Sequence, residues 1–259
     1  MEKTKIRWTD TTWNPMTGCS KISPGCKHCY AEVIASKFEG KAFPNGFAPT
    51  FKPHRLSEPA RWKPVVDEVS GELRPRRVFV NSMSDLFHED FTDVQVDRVF
   101  ETMARECQHD YQVLTKRPER MRDYVASWLS GSWRSEFPPH VWLGVSIESD
   151  AYVWRADVLR ETPAPVKFLS LEPLLGPVPS LSLDGIAWAI VGGESGKGYR
   201  PMDHVWARDI RDRCAESGVA FFFKQSAAYR TELGMELDGK RYEAMPVTPR
   251  VSRAATLFA

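Results

Sequence analysis

Three of the five cysteines lie within eleven residues, in the segment WNPMTGCSKISPGCKHCYA, and follow the spacing Cys19-x6-Cys26-x2-Cys29. Thiolates bind iron–sulfur clusters and zinc, and a C-x-x-C pair lets two sulfurs converge on one metal centre. Glycine and proline within the segment permit the tight, irregular backbone that such a loop requires. We therefore interpret this segment, called the cysteine loop below, as a metal-binding loop.

The number of thiolates separates two hypotheses. A 4Fe–4S cluster held by three cysteines leaves one iron open, and that iron can bind the amino and carboxylate groups of S-adenosylmethionine (SAM). One electron passed to the sulfonium then cleaves SAM to a 5′-deoxyadenosyl radical, a step that the cofactor carries while the protein positions it. A structural zinc site needs a fourth protein ligand instead. His28 is poorly placed inside the C-x-x-C, and Cys107 and Cys214 look like small buried hydrophobes of predicted helices. The spacing favours the cluster, with zinc as the alternative.

Near-continuous apolar runs predict parallel strands that are buried on both faces. The predicted strands are Ile6–Thr12, Arg77–Met83, Tyr111–Thr115, Val141–Ser146, Val166–Leu171, Ala187–Val191 and Val219–Phe223. Amphipathic helices are predicted at Thr92–Cys107, Pro118–Ser130, Asp150–Glu161 and Asp203–Ser217. Repeated strand–helix units imply right-handed crossovers and a parallel sheet, so the fold class is α/β.

The 259 residues are enough for one domain. We expect a core at residues 1–225 with an irregular excursion at 41–64, and a C-terminal appendage of the same domain at 226–259. No apolar run approaches the ~18 residues of a membrane span, and no apolar leader follows Met1. An odd number of cysteines argues against a secreted disulfide framework. We expect a cytoplasmic protein without a membrane partner.

The net charge of +1 conceals an asymmetry. Residues 1–63 carry 11 Lys or Arg against 5 Asp or Glu, which is +6, so the remaining residues sum to −5. A basic lobe around a reactive loop suits an anionic partner such as nucleic acid. A solvated basic surface is the alternative.

Polar or glycine residues follow nearly every predicted strand. In α/β barrels the loops after the strands form the active-site face, so these residues are the candidates for a common polar mouth. The candidate site residues are Ser84, Asp85, Lys116, Ser146, Glu148, Glu172, Gly192, Gly193 and Glu194.

The cysteine loop resembles that of the radical SAM superfamily, whose common form is C-x3-C-x2-C. Residues 14–19 (NPMTGC) and 25–31 (GCKHCYA) resemble the spore photoproduct lyase branch more closely, with three extra residues between the first two cysteines and His28 in place of the usual aromatic. Further segments resemble a largely uncharacterised phage-protein family named after phage gene products thirty-seven and sixty-eight. These segments are LTKRPERM (114–121), SLEPLLGP (170–177), IVGGESG (190–196), RPM (200–202) and FFFKQ (221–225), and the likeness covers roughly residues 5–230.

This resemblance implies a partial (β/α)6 TIM-type barrel, with the cluster loop after the first strand and with a 4Fe–4S cluster and SAM as cofactors. It implies that Ser84 or Asp85 accepts hydrogen bonds from the SAM ammonium group. It further implies that Ser146 and Glu148 contact the ribose hydroxyls of SAM. At Gly192, Gly193 and Glu194 the backbone would approach the adenine. Lys116 and Arg117 would bind the methionine carboxylate or a substrate phosphate. Glu172 is a site candidate because its neighbours are apolar. A solvated charge or a glycine-rich turn is the alternative at each position.

Together these observations predict a radical SAM enzyme that repairs or modifies a nucleic-acid component, with DNA in a phage or its bacterial host as the leading hypothesis. An external electron donor such as flavodoxin or ferredoxin would be its partner. The alternatives are radical SAM chemistry on a protein side chain or small metabolite, and a non-catalytic zinc-stabilised binding protein.

Overall fold

Seven of the chain's apolar runs form the strands of one parallel sheet, seen in a computed structural model that describes residues 4–67, 70–131, 136–230 and 233–249. The strands are β1 (Thr11–Trp13), β2 (Arg76–Val80), β3 (His109–Thr115), β4 (Val141–Ser146), β5 (Lys167–Leu171), β6 (Trp188–Gly192) and β7 (Ala220–Gln225). Residues 1–3, 68–69 and 132–135 of the predicted core, and residues 231–232 and 250–259 of the predicted appendage, lie outside the described residues.

The strands stand in the sheet in the order in which they follow one another along the chain, and every neighbouring pair is parallel. Crossovers of one hand between consecutive strands bring the connecting helices to one face of the sheet. The sheet curls around its other face. Evidence for the curl is the contact of Trp8, just before β1, with Trp188 of β6, whose ring centroids are 6.0 Å apart. The predicted α/β class is confirmed, and the architecture is a curled parallel half-barrel consistent with a TIM-like fold.

The two faces of the sheet have separate apolar cores, as expected for strands buried on both sides. The core on the helix face includes Val78, Tyr111, Leu143 and Phe223. The inner core is rich in aromatic residues and consists of Trp8, Phe79, Trp142, Val166, Phe168, Trp188, Ile190 and Phe222. This inner core fills the half-barrel on the side of the strand starts and leaves the strand ends to polar residues.

The described residues form five α-helices between the strands, one in each connection except that from β5 to β6: α1 (Tyr30–Lys37), α2 (Asp93–Arg105), α3 (Pro118–Gly131), α4 (Trp154–Glu161) and α5 (His204–Ser217). Helix α2 begins with a capping box in which the Thr92 hydroxyl accepts from the backbone of Gln95 and the Gln95 side chain accepts from the backbone of Thr92. Helix α5 ends at Gly218, whose φ of 67° suits the left-handed conformation of a helix C-terminus.

The structure corrects two sequence predictions. The first strand is Thr11–Trp13 rather than Ile6–Thr12, because residues 6–9 turn and direct Trp8 into the inner core. Cys107 is exposed and follows the end of α2, so its assignment as a small buried hydrophobe of a helix was wrong. Cys214 is buried in α5 as predicted.

Within the excursion at 41–64, Thr50–Phe51 pairs antiparallel with Met16–Thr17 and forms a separate two-stranded sheet beside the cysteine loop. After β7, the described part of the C-terminal segment covers the free edge of that strand, since Glu243 forms an antiparallel bridge with Phe222 and the Ala244 carbonyl accepts from the Trp188 indole at 2.9 Å. No helix within the described ranges is long and apolar enough to cross a membrane.

Candidate cysteine-loop site

The inner face of the half-barrel changes from apolar to charged within one layer of side chains. Ser146, Ser170, Ile190 and Phe222 are register partners across β4 to β7 and form one inward layer. Because side chains alternate along a strand, the next inward layer lies two residues further on. Two positions further along the chain stand Glu148, Glu172, Gly192 and Lys224, and Glu172 pairs with Lys224 across Gly192, where the register of β6 with β7 shifts. The polar mouth predicted from the sequence therefore begins at one level of the sheet.

The cysteine loop starts next to the carboxyl end of β2. The Gly18 N–H donates to the Met83 carbonyl at 2.8 Å, and the Ser84 hydroxyl donates to the Gly18 carbonyl at 2.6 Å. Gly18 has a φ of +88°, and a Cβ on it would lie 2.2 Å from the Ala48 carbonyl oxygen, so only glycine fits there. Ser84 thus fixes the backbone one residue before Cys19.

The three loop cysteines are unpaired and half-buried. Burial raises the pKa of the Cys19 thiol to about 11, with a contribution from the Asp85 carboxylate and an opposing one from Arg117. Burial also raises the pKa of Cys29, against the backbone amides of Glu32 and Ala31. The charge of Cys26 acts on both of these thiols. Cys26 therefore lies within electrostatic range of both Cys19 and Cys29.

The three loop thiols are the type of ligand that an iron–sulfur cluster requires. Three free thiols on one loop match the ligand type of such clusters, and each thiolate binds a different iron of a cube, so the sulfurs need not converge on a point. Among the described residues, no group of three or more His, Cys, Asp or Glu is arranged to hold a single metal ion.

Glu148 is the most buried carboxylate of the mouth, with 0% of its side chain exposed. Its Oε1 accepts from the Ser23 hydroxyl at 2.6 Å and pairs with Lys116 Nζ at 2.7 Å, while its Oε2 pairs with Arg155 Nη1 at 3.0 Å. Burial acts to raise the pKa of Glu148, but Lys116 and Ser23 outweigh it and the pKa is lowered. A Cβ on Gly25 would lie 2.5 Å from this side chain, so the loop passes directly over the carboxylate.

Glu194 binds the other end of the cysteine loop. Its Oε2 lies 2.9 Å from His28 Nδ1, and its Oε1 accepts from Arg200 Nη2 at 2.6 Å. The same Arg200 nitrogen donates to the Pro24 carbonyl at 3.0 Å. Burial acts to raise the pKa of Glu194, but the hydrogen bonds from Arg200 outweigh it and lower the pKa to about 2. Glu194 is therefore a charged anchor for the loop.

Asp85 and Arg117 hold the Cys19 end. Asp85 Oδ1 accepts from the Thr115 hydroxyl at 2.7 Å and Oδ2 from the Lys116 backbone at 3.1 Å. Arg117 Nη1 lies 3.2 Å from Asp85 Oδ2 and 3.6 Å from Cys19 Sγ. Both oxygens of Asp85 are thus occupied by groups of the protein itself.

Glu172 lies apart from the loop anchors, on the β5 to β7 side of the mouth. Its Oε1 pairs with Lys224 Nζ at 2.7 Å, and a Cβ on Gly192 would lie 2.8 Å from that oxygen. Gly192 therefore leaves room for an ion pair that spans β6. A Cβ on Gly193 would lie 2.2 Å from the Ala227 backbone nitrogen, so this glycine permits the chain after β7 to pack closely.

The structure brings the candidate residues to one edge of the sheet, where the charged ones form ion pairs with one another. Lys116 and Arg117, expected to grip an anion, are paired with Glu148 and Asp85. Ser146 is buried, and its carbonyl accepts from Arg155. Binding of SAM by the candidates stays a prediction.

Sequence reasoning missed four residues that hold the loop or the mouth. Ser23, Arg155 and Arg200 bond the anchoring carboxylates, and the Tyr30 hydroxyl donates to the Ser82 carbonyl at 2.6 Å. Arg155 lies in no quoted motif, whereas Ser23 and Tyr30 lie within the cysteine loop and Arg200 lies within the RPM segment. None of these motifs indicated which residue each side chain would contact. These contacts become visible only in the fold, because the partners are far apart in the sequence, as with Ser23 and Glu148 at 125 positions.

Comparison with known proteins gives one family and one solved structure of interest. A spore photoproduct lyase complexed with dinucleoside spore photoproduct matches with a TM-score of 0.45 and 11% sequence identity. The match covers 83% of this chain and 63% of that chain. No curated protein matches the sequence. The family model described as "Protein of unknown function (DUF5131)" matches residues 3–246, and the chain belongs to that family.

Proposed function

We propose that this protein is a radical SAM enzyme in which Cys19, Cys26 and Cys29 hold a 4Fe–4S cluster at the mouth of the half-barrel. The observation that carries the proposal is the anchoring of the cysteine loop to the strand ends. Ser84 and Arg117 hold it near Cys19, Glu148 holds Ser23, and Glu194 holds His28. Bound there and reduced by an external one-electron donor, such a cluster would supply the electron for the reductive cleavage of SAM to a 5′-deoxyadenosyl radical.

The chain's own residues contribute position and exclusion of water. In the described part of the chain, the aromatic inner core fills the half-barrel below the polar residues, so we expect a ligand to enter from the strand ends. Glu148 and Glu194 are charged and already paired, which keeps the loop fixed during catalysis. Two cysteines lie away from the loop: Cys214 is buried in α5, where burial raises its pKa to about 12, and Cys107 is exposed after α2.

Anaerobic purification tests this proposal directly. We expect a brown protein with about four irons per chain, and release of 5′-deoxyadenosine when SAM and dithionite are added. Alanine at Cys19, Cys26 or Cys29 should abolish iron binding, whereas Cys107→Ala, a matched control at an exposed cysteine, should retain it. A colourless protein that binds one zinc with the same three cysteines would establish the zinc-stabilised binding protein instead.

Helix α1 supports a nucleic acid as the substrate. Its small residues Ala31 and Ala35 are buried, whereas Val33 and Phe38 are 65% and 43% exposed. The ammonium group of Lys37 lies 5.7 Å from the Phe38 ring centroid, on a surface that begins at Cys29. An exposed aromatic ring and an exposed apolar side chain beside a lysine suit unstacked bases and phosphates.

Salt-dependent binding separates this substrate class from a protein side chain or small metabolite. We expect a fluorescent single-stranded DNA oligonucleotide to bind with an affinity that falls steeply with salt. Lys37→Gln should make the slope of log affinity against log salt shallower by about one. Arg105→Gln, at the end of α2 just before β3 starts and hence on the opposite edge of the sheet, should leave it unchanged. Identical slopes for the two variants would argue for the alternative substrates.

A further inference from the structure

The side chain of Arg117 is fixed at every nitrogen. Nη1 lies 3.6 Å from Cys19 Sγ and 3.2 Å from Asp85 Oδ2, Nη2 donates to the Ser20 hydroxyl at 2.9 Å, and Nε donates to Glu89 at 2.8 Å. Only 11% of the side chain is exposed. A guanidinium held by this many partners keeps one orientation, and here that orientation directs an N–H at a sulfur.

The three loop sulfurs have different surroundings. Cys29 lies at the start of α1, where the backbone amides of Ala31 and Glu32 favour its thiolate. Cys26 lies 3.6 Å from the Ser23 hydroxyl, whose proton is directed to Glu148. Among the described hydrogen bonds of these sulfurs, a cationic side chain donates to Cys19 alone, whereas Lys21 acts on Cys26 and Cys29 only from a distance and is itself paired with Glu32 at 2.7 Å.

Two opposite charges therefore act on Cys19 at close range. Arg117 Nη1 lies 3.6 Å from Cys19 Sγ and 3.2 Å from Asp85 Oδ2, so the cation contacts the sulfur and the carboxylate lies next to that cation. By Coulomb's law the cation favours added negative charge on the sulfur, and the carboxylate disfavours it. Glu89 is also paired with Arg117, but 61% of its side chain is exposed and its charge is screened by solvent. Removal of Arg117 would leave the Asp85 charge uncompensated beside the sulfur.

We propose that Arg117 and Asp85 form a charge pair that sets the reduction potential of the cluster bound through Cys19, with Arg117 raising it and Asp85 lowering it. This inference rests on the proposed function. Reduction adds one negative charge to the cluster and its sulfurs, so a cationic donor at a sulfur stabilises the reduced state and a nearby carboxylate destabilises it. Arg117 is in this sense a positioning residue that acts through Cys19.

A redox titration followed by electron paramagnetic resonance on the anaerobic protein tests the pair. We expect Arg117→Met to shift the midpoint potential to more negative values and Asp85→Asn to shift it to more positive values. Arg117→Lys, which keeps the charge with a shorter reach, should fall between Arg117→Met and the wild type. Arg122→Met, a matched control on the exposed face of α3, should match the wild type.

Shifts of the midpoint potential in opposite directions distinguish an electrostatic effect from a damaged fold. A damaged fold would not shift the potential according to the sign of the charge that was removed. A full complement of iron in Arg117→Met with an unchanged potential would overturn the inference while leaving the proposed function intact. If Arg117→Met loses its iron, Arg117→Gln carries the same expectation, since it removes the charge but keeps a hydrogen-bonding group. A wild-type protein that binds no four-iron cluster would refute the proposed function, and the inference with it.

Discussion

The hydroxyl of Ser23 donates to the carboxylate of Glu148 over 2.6 Å and thereby joins the cysteine loop to the end of β4. The carboxylate is fully buried and has two cationic partners, Lys116 and Arg155. A buried ion pair of this kind is costly to break, so the attachment point of the loop is rigid. The sulfur of Cys26 lies 3.6 Å from the Ser23 hydroxyl, so this attachment also fixes the position of the sulfur.

Substitution of Gly25 by alanine should displace the cysteine loop. The added Cβ would lie 2.5 Å from Glu148 Cγ and Oε1, and neither group can move without breaking a buried ion pair. We expect Gly25→Ala to lose most of the iron of the reconstituted protein, measured by iron and sulfide analysis. Gly131→Ala is the matched control, since no described atom beyond its own helix lies within 4 Å of a Cβ added there. Full iron content in Gly25→Ala would contradict this account of the loop.

Replacement of Glu148 by glutamine should destabilise the whole domain. It leaves Lys116 and Arg155 without their counter-charge in a buried place, and loss of one partner of a buried pair costs about 3–5 kcal/mol. Urea denaturation of the metal-free protein measures this directly. Glu161→Gln removes an exposed ion pair with Arg122 and should cost less than about 1 kcal/mol. Equal losses of stability in the two variants would show that Glu148 is not an anchor.

The ion pair of Glu194 predicts a pH dependence. Its folded pKa is lowered to about 2, below the ordinary value of 4.5, so the pair contributes stability above pH 4.5 and loses it as the pH falls toward 2. The loss of unfolding free energy caused by Glu194→Gln should be largest at neutral pH and should shrink through that window. A difference that is constant from pH 6 to pH 3 would exclude this origin.

Alkylation with iodoacetamide should rank the five cysteines by exposure and pKa. In the metal-free protein at pH 8, Cys107 should react first because it is exposed, and Cys214 only after unfolding because it is buried. Cys19 should react slowly, since its pKa is raised to about 11 and little of it is thiolate. Cluster reconstitution should protect Cys19, Cys26 and Cys29 together, as mass spectrometry of the peptides can show. Protection of only two of them would argue against a three-cysteine ligand set.

Helix α1 illustrates a local element that hydrophobic periodicity did not predict. Its eight residues bury only Ala31 and Ala35 and expose the larger Val33 and Ile34. A pattern search that assigns large apolar residues to the core finds no helix there, because the apolar stripe faces outward. The exposed stripe is part of the surface proposed to bind nucleic acid.

The sequence alone determined the candidate ligand residues, the strand-rich α/β class and the polar ends of the strands. These features are local: the cysteine spacing, the apolar runs and the residues that follow them are read within about ten positions. Only the tertiary structure determined which polar and charged side chains contact one another. The contacts of Ser23 with Glu148, His28 with Glu194 and Arg117 with Cys19 span 125, 166 and 98 positions. They exist because consecutive strands curl into a half-barrel and bring their carboxyl ends around one loop, and no local pattern in the chain encodes that curvature.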